Sequence, residues 1–238
     1  MLKYKLLSFF LYVSGLFAFI CIAFILILSG FIFLPLFYKF VKICCRFMLS
    51  SLLLWPKING EFPTDGTYII MMKHSSFIDV FIFPLIPKGA WTGITATENF
   101  KIPIFSTIIN RIQAIPIERK NRGAAIQSIK KAEHVLKQGI HIGILPEGTR
   151  TMDGKMRDFK KGGFHMAINT NTAIIPVGVL GAYSFKPKDR WWMIPGSISI
   201  NIGIPTNISE YSDLGVGGLK NKVELAIKGL SGECYEVK

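Results

Sequence analysis

From Leu6 to Tyr38 the chain carries not one charged residue. A bilayer core takes about 20 apolar residues as a helix, and Leu6–Leu28 alone supplies them. Every charge in the first 57 positions is basic: Lys3, Lys5, Lys39, Lys42, Arg46 and Lys57. Ser29-Gly30 and Pro35 offer a break, because Gly and Pro interrupt helices. Beyond it, Leu36–Leu54 is apolar again but carries Lys39, Lys42 and Arg46 at helical spacing. That spacing sets the three cations on one side, as in a helix lying at an anionic interface. Residues 1–57 are therefore expected to form a membrane anchor of two apolar helices.

A cleaved signal peptide has a similar start, but its apolar core is shorter and it ends in a small-x-small site, which is missing here. Two arrangements of the anchor stay open. The first helix either crosses the bilayer or folds back at Ser29-Gly30 into a hairpin with both ends on one side. The basic residues after the apolar run outnumber Lys3 and Lys5, so the rest of the chain is expected on the cytoplasmic side of the inner membrane.

Composition agrees. Half of the 238 residues are hydrophobic, 18% are charged and the mean hydropathy is +0.39. Such a chain buries ample apolar surface, which excludes intrinsic disorder. The formal charge of +13 points to an anionic partner: a phospholipid surface, nucleic acid or a phosphorylated substrate. Cys21, Cys44, Cys45 and Cys234 show no metal-type spacing, and the adjacent pair argues against a disulfide framework.

Pro56-Lys57-Ile58-Asn59-Gly60 marks the boundary of a second unit, residues 58–238. Short apolar runs at 67–72, 91–96, 113–117, 140–145, 173–180 and 197–202 read as buried strands. Helical patterns lie between them. The clearest is Arg122–Gln138, with Ile126, Ile129 and Leu136 on one face and Gly139 as its stop. From Ser209 onward one amphipathic helix is expected. Alternating strands and helices predict an α/β fold with a mixed, mostly parallel sheet flanked by helices.

Among the four histidines, His74 follows an apolar strand directly, and strand ends in α/β sheets are where ligands bind. Asp79 lies five positions on, with Ser75 and Ser76 available to cap a new helix. A helix starting there brings the carboxylate back under the imidazole, fixing its tautomer and balancing imidazolium. The competing reading is a capping serine, a polar histidine and a surface aspartate. Gly143-Ile-Leu-Pro-Glu-Gly-Thr-Arg150 also ends an apolar strand. It is not a nucleotide-binding P-loop, since Pro146 lacks an N–H, Glu147 repels phosphate and the lysine is absent. Arg150 suits bidentate phosphate recognition. Glu147 suits a hydroxyl, or an internal ion pair with Arg150. A third cluster, Glu118-Arg119-Lys120-Asn121-Arg122, either contacts phosphate or solvates a helix start. No Gly-x-Ser-x-Gly, His-Glu-x-x-His or Cys-x-x-Cys occurs, so serine hydrolase and zinc readings lack their signatures.

Taken in order, four segments between Tyr68 and Val179 resemble the motifs of the 1-acyl-glycerol-3-phosphate (lysophosphatidate) acyltransferase family of membrane-bound glycerolipid acyltransferases. They are His74-x-x-x-x-Asp79, Ala114-Ile-Pro-Ile-Glu-Arg119, Leu145-Pro-Glu-Gly-Thr-Arg150 and Ile174-Ile-Pro-Val-Gly-Val179. Lys73 stands where Asn is more usual, Glu118 replaces Asp, and Thr95–Pro103 keeps Lys101 but lacks the lysine of the Ala-Lys-x-Glu-Leu block often found before Lys-Ile-Pro. The resemblance implies that His74 and Asp79 are catalytic. It implies that Arg119, Glu147, Gly148, Thr149 and Arg150 bind substrate. Neither metal nor prosthetic group is implied. The donor would be acyl-CoA or acyl carrier protein, the acceptor a lyso-lipid in the bilayer and the product phosphatidic acid. A lysophospholipid or lyso-ornithine lipid acceptor is the nearest alternative. A membrane-tethered basic scaffold would explain the charge but not the motifs. No nucleic-acid partner is expected, because the basic residues lack the interleaved aromatics that stack bases.

Overall fold

Ile69, Ile70, Met71 and Met72 are all fully buried, as in a strand covered on both faces. Around this strand the computed structural model, which describes residues 1–29, 34–103, 105–118 and 121–233, builds a seven-stranded sheet. Its strands are β1 (Pro56–Asn59), β2 (Ile69–Met72), β3 (Trp91–Ala96), β4 (Ile115–Ile117), β5 (His141–Ile144), β6 (Ile174–Leu180) and β7 (Ile198–Ile202). They lie in the order β1-β7-β6-β2-β5-β3-β4. All neighbours are parallel except β6 and β7. The mixed, mostly parallel sheet is thus present.

Helices α1 (Leu2–Ser29) and α2 (Leu34–Ser51) precede the sheet, and α3 (Asp79–Ile82) to α8 (Gly215–Leu230) accompany it. The others are α4 (Phe105–Arg111), α5 (Arg122–Lys137), α6 (Gly162–Thr170) and α7 (Ala182–Phe185). Strand alternation divides the core. Ile70 and Met72 face a cluster that includes Phe37, Val41, Leu49, Ile78 and Ile82. Ile69 and Met71 face Leu136, Phe164, Met166, Val223 and Ile227. The segments after β2 and β5 therefore leave the sheet on opposite faces, α3 on one and α6 on the other. Adjacent strands that part in this way leave room for a ligand at their carboxyl ends. A Cβ on Gly143 would stand 2.2 Å from the Phe83 ring, so β5 accepts only glycine where the chain after α3 crosses it.

Several sequence expectations change. The boundary expected at residue 57 falls inside β1, which pairs in parallel with β7 and joins Asn59 to Asn201 through their amides at 2.8 Å. Helices α1 and α2 also share one apolar cluster with the sheet. Lys42 does not lie with Lys39 and Arg46 at the outer face. It turns inward and donates to the Pro87 carbonyl, because α2 packs seven side chains, Val41 and Cys45 among them, onto the domain. In α5, Ile126 is exposed, and the buried seam runs through Ser128, Ala132 and Leu136. Ser128 fits there because its hydroxyl donates to the Pro116 carbonyl at 2.6 Å. The helix starts under an Asn121 side-chain cap, and Gly139 follows with φ +79°. The expected turn at Gly30 lies outside the described residues, as does Cys234.

Candidate active site

β2 ends one residue before Lys73, and the chain turns sharply so that α3 starts at Asp79. The Asp79 side chain is almost wholly buried (1% exposed), and that of His74 is 20% exposed. Asp79 Oδ2 accepts from His74 Nδ1 at 2.8 Å and from the backbone N–H groups of Ser75 at 2.7 Å and Ser76 at 2.9 Å. The expected roles are reversed here: the serines do not cap the helix, and the aspartate side chain ties their amides down. Ser76 Oγ is committed elsewhere, donating to the Lys186 carbonyl at 2.8 Å. With the proton on Nδ1 donated to this carboxylate, Nε2 is the acceptor, the form required of a base.

Glu147 follows β5, next to β2. Its Oε1 accepts the His74 N–H at 2.7 Å and its Oε2 the Arg157 N–H at 2.9 Å. Burial pushes this carboxyl up from its ordinary range. The two amides and the charges of Lys73 and His74 oppose the shift. The internal Glu147–Arg150 pair allowed by the sequence is not made among the described residues; each Glu147 oxygen accepts a backbone amide instead. Gly148 takes φ +72° and closes the turn by donating to the Leu145 carbonyl at 3.0 Å. Thr149 and Arg150 are half-buried in that turn. Thr151 N–H then donates to the His74 carbonyl at 2.9 Å, so the second loop grips the first.

Arg119 lies outside the described residues, and Glu118 is exposed just beyond β4. Lys186 was not singled out by any motif, yet it sits beside the site. Its ammonium lies 5.9 Å from the centre of the Phe77 ring and donates to the Arg190 carbonyl at 2.8 Å. Burial first, then the charges of Arg150 and Arg190, push its pKa down. Arg150, Lys186 and Arg190 thus bring positive charge together, with Asp189 opposing it, and such a cluster suits an anion. Among the described residues no three His, Cys, Asp or Glu side chains gather as metal ligands. The other described histidines have structural positions. His141 bridges the Tyr68 N–H and the Lys88 carbonyl, and His134 and His165 lie on helices.

The Acyltransferase family profile matches residues 57–180. A 1-acyl-sn-glycerol-3-phosphate acyltransferase of Cocos nucifera is 33% identical over 158 residues, 66% of this chain and 51% of the relative. One of Borreliella burgdorferi is 30% identical over 131 residues, covering 55% of this chain and 52% of the relative. The chain spans about half the length of these curated relatives. The crystal structure of a 1-acyl-sn-glycerophosphate acyltransferase from Thermotoga maritima superposes with a TM-score of 0.86 over 97% of each chain, at 24% identity.

Proposed function

This chain belongs to the Acyltransferase family, and from that premise we propose that it acylates the sn-2 hydroxyl of 1-acyl-glycerol-3-phosphate, yielding phosphatidic acid. The donor is an acyl thioester, acyl-CoA or acyl carrier protein. The names of its relatives support this reading, and one observation carries it: a half-open imidazole held at 2.8 Å by a buried carboxylate, at the end of the central strand. His74 Nε2 takes the proton of the acceptor hydroxyl as its oxygen attacks the thioester carbonyl. The tetrahedral adduct collapses, the carbon–sulfur bond breaks, and the imidazolium returns its proton to the thiolate. Asp79 balances the imidazolium throughout.

Arg150 and Lys186 hold the acceptor phosphate, and Arg119 is assigned to the same task through its motif. Purified protein is to be assayed with labelled acyl donors against 1-acyl-glycerol-3-phosphate, other lyso-lipids and glycerol-3-phosphate, with the first as the preferred acceptor. Arg150→Lys keeps the charge but loses the planar fork. It should lower kcat/KM for phosphomonoester acceptors by about tenfold, the worth of one charge-assisted hydrogen bond. Acceptors without that phosphate should lose less, and equal losses would remove Arg150 from phosphate binding.

The hairpin lies on the bilayer rather than crossing it. α1 is long and apolar enough to span, but it touches the domain at both ends. Near its start, Ser8 Oγ accepts the Met193 N–H at 2.7 Å and Tyr12 donates to the Trp191 carbonyl at 2.6 Å. Near its end, Leu26 and Ile27 line a cavity of about 440 Å³ with Phe37, Ile108 and Arg111. Its outer face exposes Leu6, Phe9, Phe10, Val13, Phe17 and Phe24, suited to insertion among acyl chains. The domain and both hairpin ends then share the cytoplasmic face. High salt should leave the protein on membranes and detergent should release it, since apolar burial dominates retention. Release by salt would refute the anchor. Labelling of a Leu2→Cys variant by an impermeant thiol reagent outside intact cells would refute the hairpin.

A further inference from the structure

The loop between β5 and α6, residues 145–161, contains no strand or helix, so its amides need other partners. Carboxylates supply them. Glu147 accepts from Arg157 N–H at 2.9 Å, Glu233 from Met156 N–H at 3.1 Å and Glu224 from Phe159 N–H at 3.1 Å. Glu233 is bound a second time. Its other oxygen pairs with the ammonium of Lys73, which is 5% exposed and also donates to the Gly154 carbonyl.

These contacts close a ring. Lys73 reaches Glu233, which holds Met156. The next residue, Arg157, is held by Glu147, and Glu147 holds the amide of His74, the neighbour of Lys73. We propose that Glu233 is a positioning residue: through Lys73 it locks the turn that carries His74 against the loop that carries Glu147 and Arg150. Its own position is rigid. Leu219, Val223 and Ile227 bury α8 in the core. Gly232 then takes φ +67°, and the Glu233 N–H donates to the Lys228 carbonyl at 3.1 Å, a helix-end arrangement that fixes where the next side chain points.

A buried ammonium persists only while it is paired. Without the Glu233 charge, Lys73 keeps one carbonyl and turns its attraction on Glu147, competing with the two amides that Glu147 holds. The turn then loosens behind His74, away from bound substrate, so turnover suffers more than binding.

The kinetic arm rests on the acyl-transfer reading above, and hydrogen exchange stands apart from it. In the full chain, Glu233→Gln should lower kcat about tenfold, the effect of a modest displacement of a base, with KM for both substrates within about twofold. Exchange should quicken across 147–157 and stay unchanged in β2 and β6. Lys73→Met removes the same tie and should lower kcat by a similar factor, and combining it with Glu233→Gln should add little further loss, because both residues act through one contact. Unchanged exchange in Glu233→Gln overturns the proposal, whether or not the parent chain transfers acyl groups. So does a double-variant kcat loss equal to the product of the two single losses, or a Glu233→Gln loss that appears wholly in KM. A parent chain that transfers no acyl group counts against the function alone.

Discussion

His74→Ala is expected to lose at least ~10²-fold in turnover, the lower end of what a positioned general base contributes, while keeping its fold. The second half of that expectation follows from Asp79. Removing the imidazole takes one of three donors from its buried Oδ2, but the Ser75 and Ser76 amides remain at 2.7 and 2.9 Å. The carboxylate is therefore still hydrogen-bonded, and the start of α3 is held as before. Asp79→Asn should act in the same direction by another route. It keeps an oxygen for the two amides but removes the charge that balances imidazolium. It also puts an amide NH2 where Oδ1 now lies buried without a partner among the described residues. Circular dichroism and thermal melts of both variants, run beside turnover, separate chemistry from folding. Near-normal turnover in a folded His74→Ala protein would end the base mechanism.

What could be read in advance follows the range of the interactions. β3 spans Trp91–Ala96 as the apolar run predicts, because a short apolar run needs only local hydrophobicity to be seen. The approach of Asp79 to His74 was also legible, since only five positions separate them and the carboxylate reaches back across one short turn. β1 was not. Pro56-Lys57-Ile58-Asn59 is polar and short, and only its parallel pairing with β7, some 140 residues on, makes it a strand. Glu147 shows the same limit from inside a motif. Its sequence neighbour Arg150 invited an ion pair, whereas its partners are the amides of His74 and Arg157. Lys186 and Glu233 carry no pattern at all. α7 and α8 deliver them to the mouth and the back of one site.

Glu147→Gln tests whether that carboxylate is needed for its shape or for its charge, and the expected damage is large on both counts. Glu147 is 2% exposed, and each of its oxygens accepts one backbone N–H. Glutamine has one oxygen and one NH2 in their place. If the oxygen faces His74, the Arg157 amide meets another donor and the loop behind it comes loose. If it faces Arg157, the His74 amide is orphaned at the base itself. Either choice strands a buried N–H at about 1–3 kcal/mol, and for a chain of this size each kcal/mol is worth roughly 2–4 °C in Tm. The loss of the negative charge beside Lys73 adds to that. Turnover should fall by about 10²-fold, the scale of a 1 Å misplacement of reacting groups. Glu147→Asp retains both acceptors and the charge on a shorter stem, so it should keep more activity than Glu147→Gln. Should the two variants fall equally, or should Glu147→Gln melt and turn over like the parent, the two amides do not depend on this carboxylate.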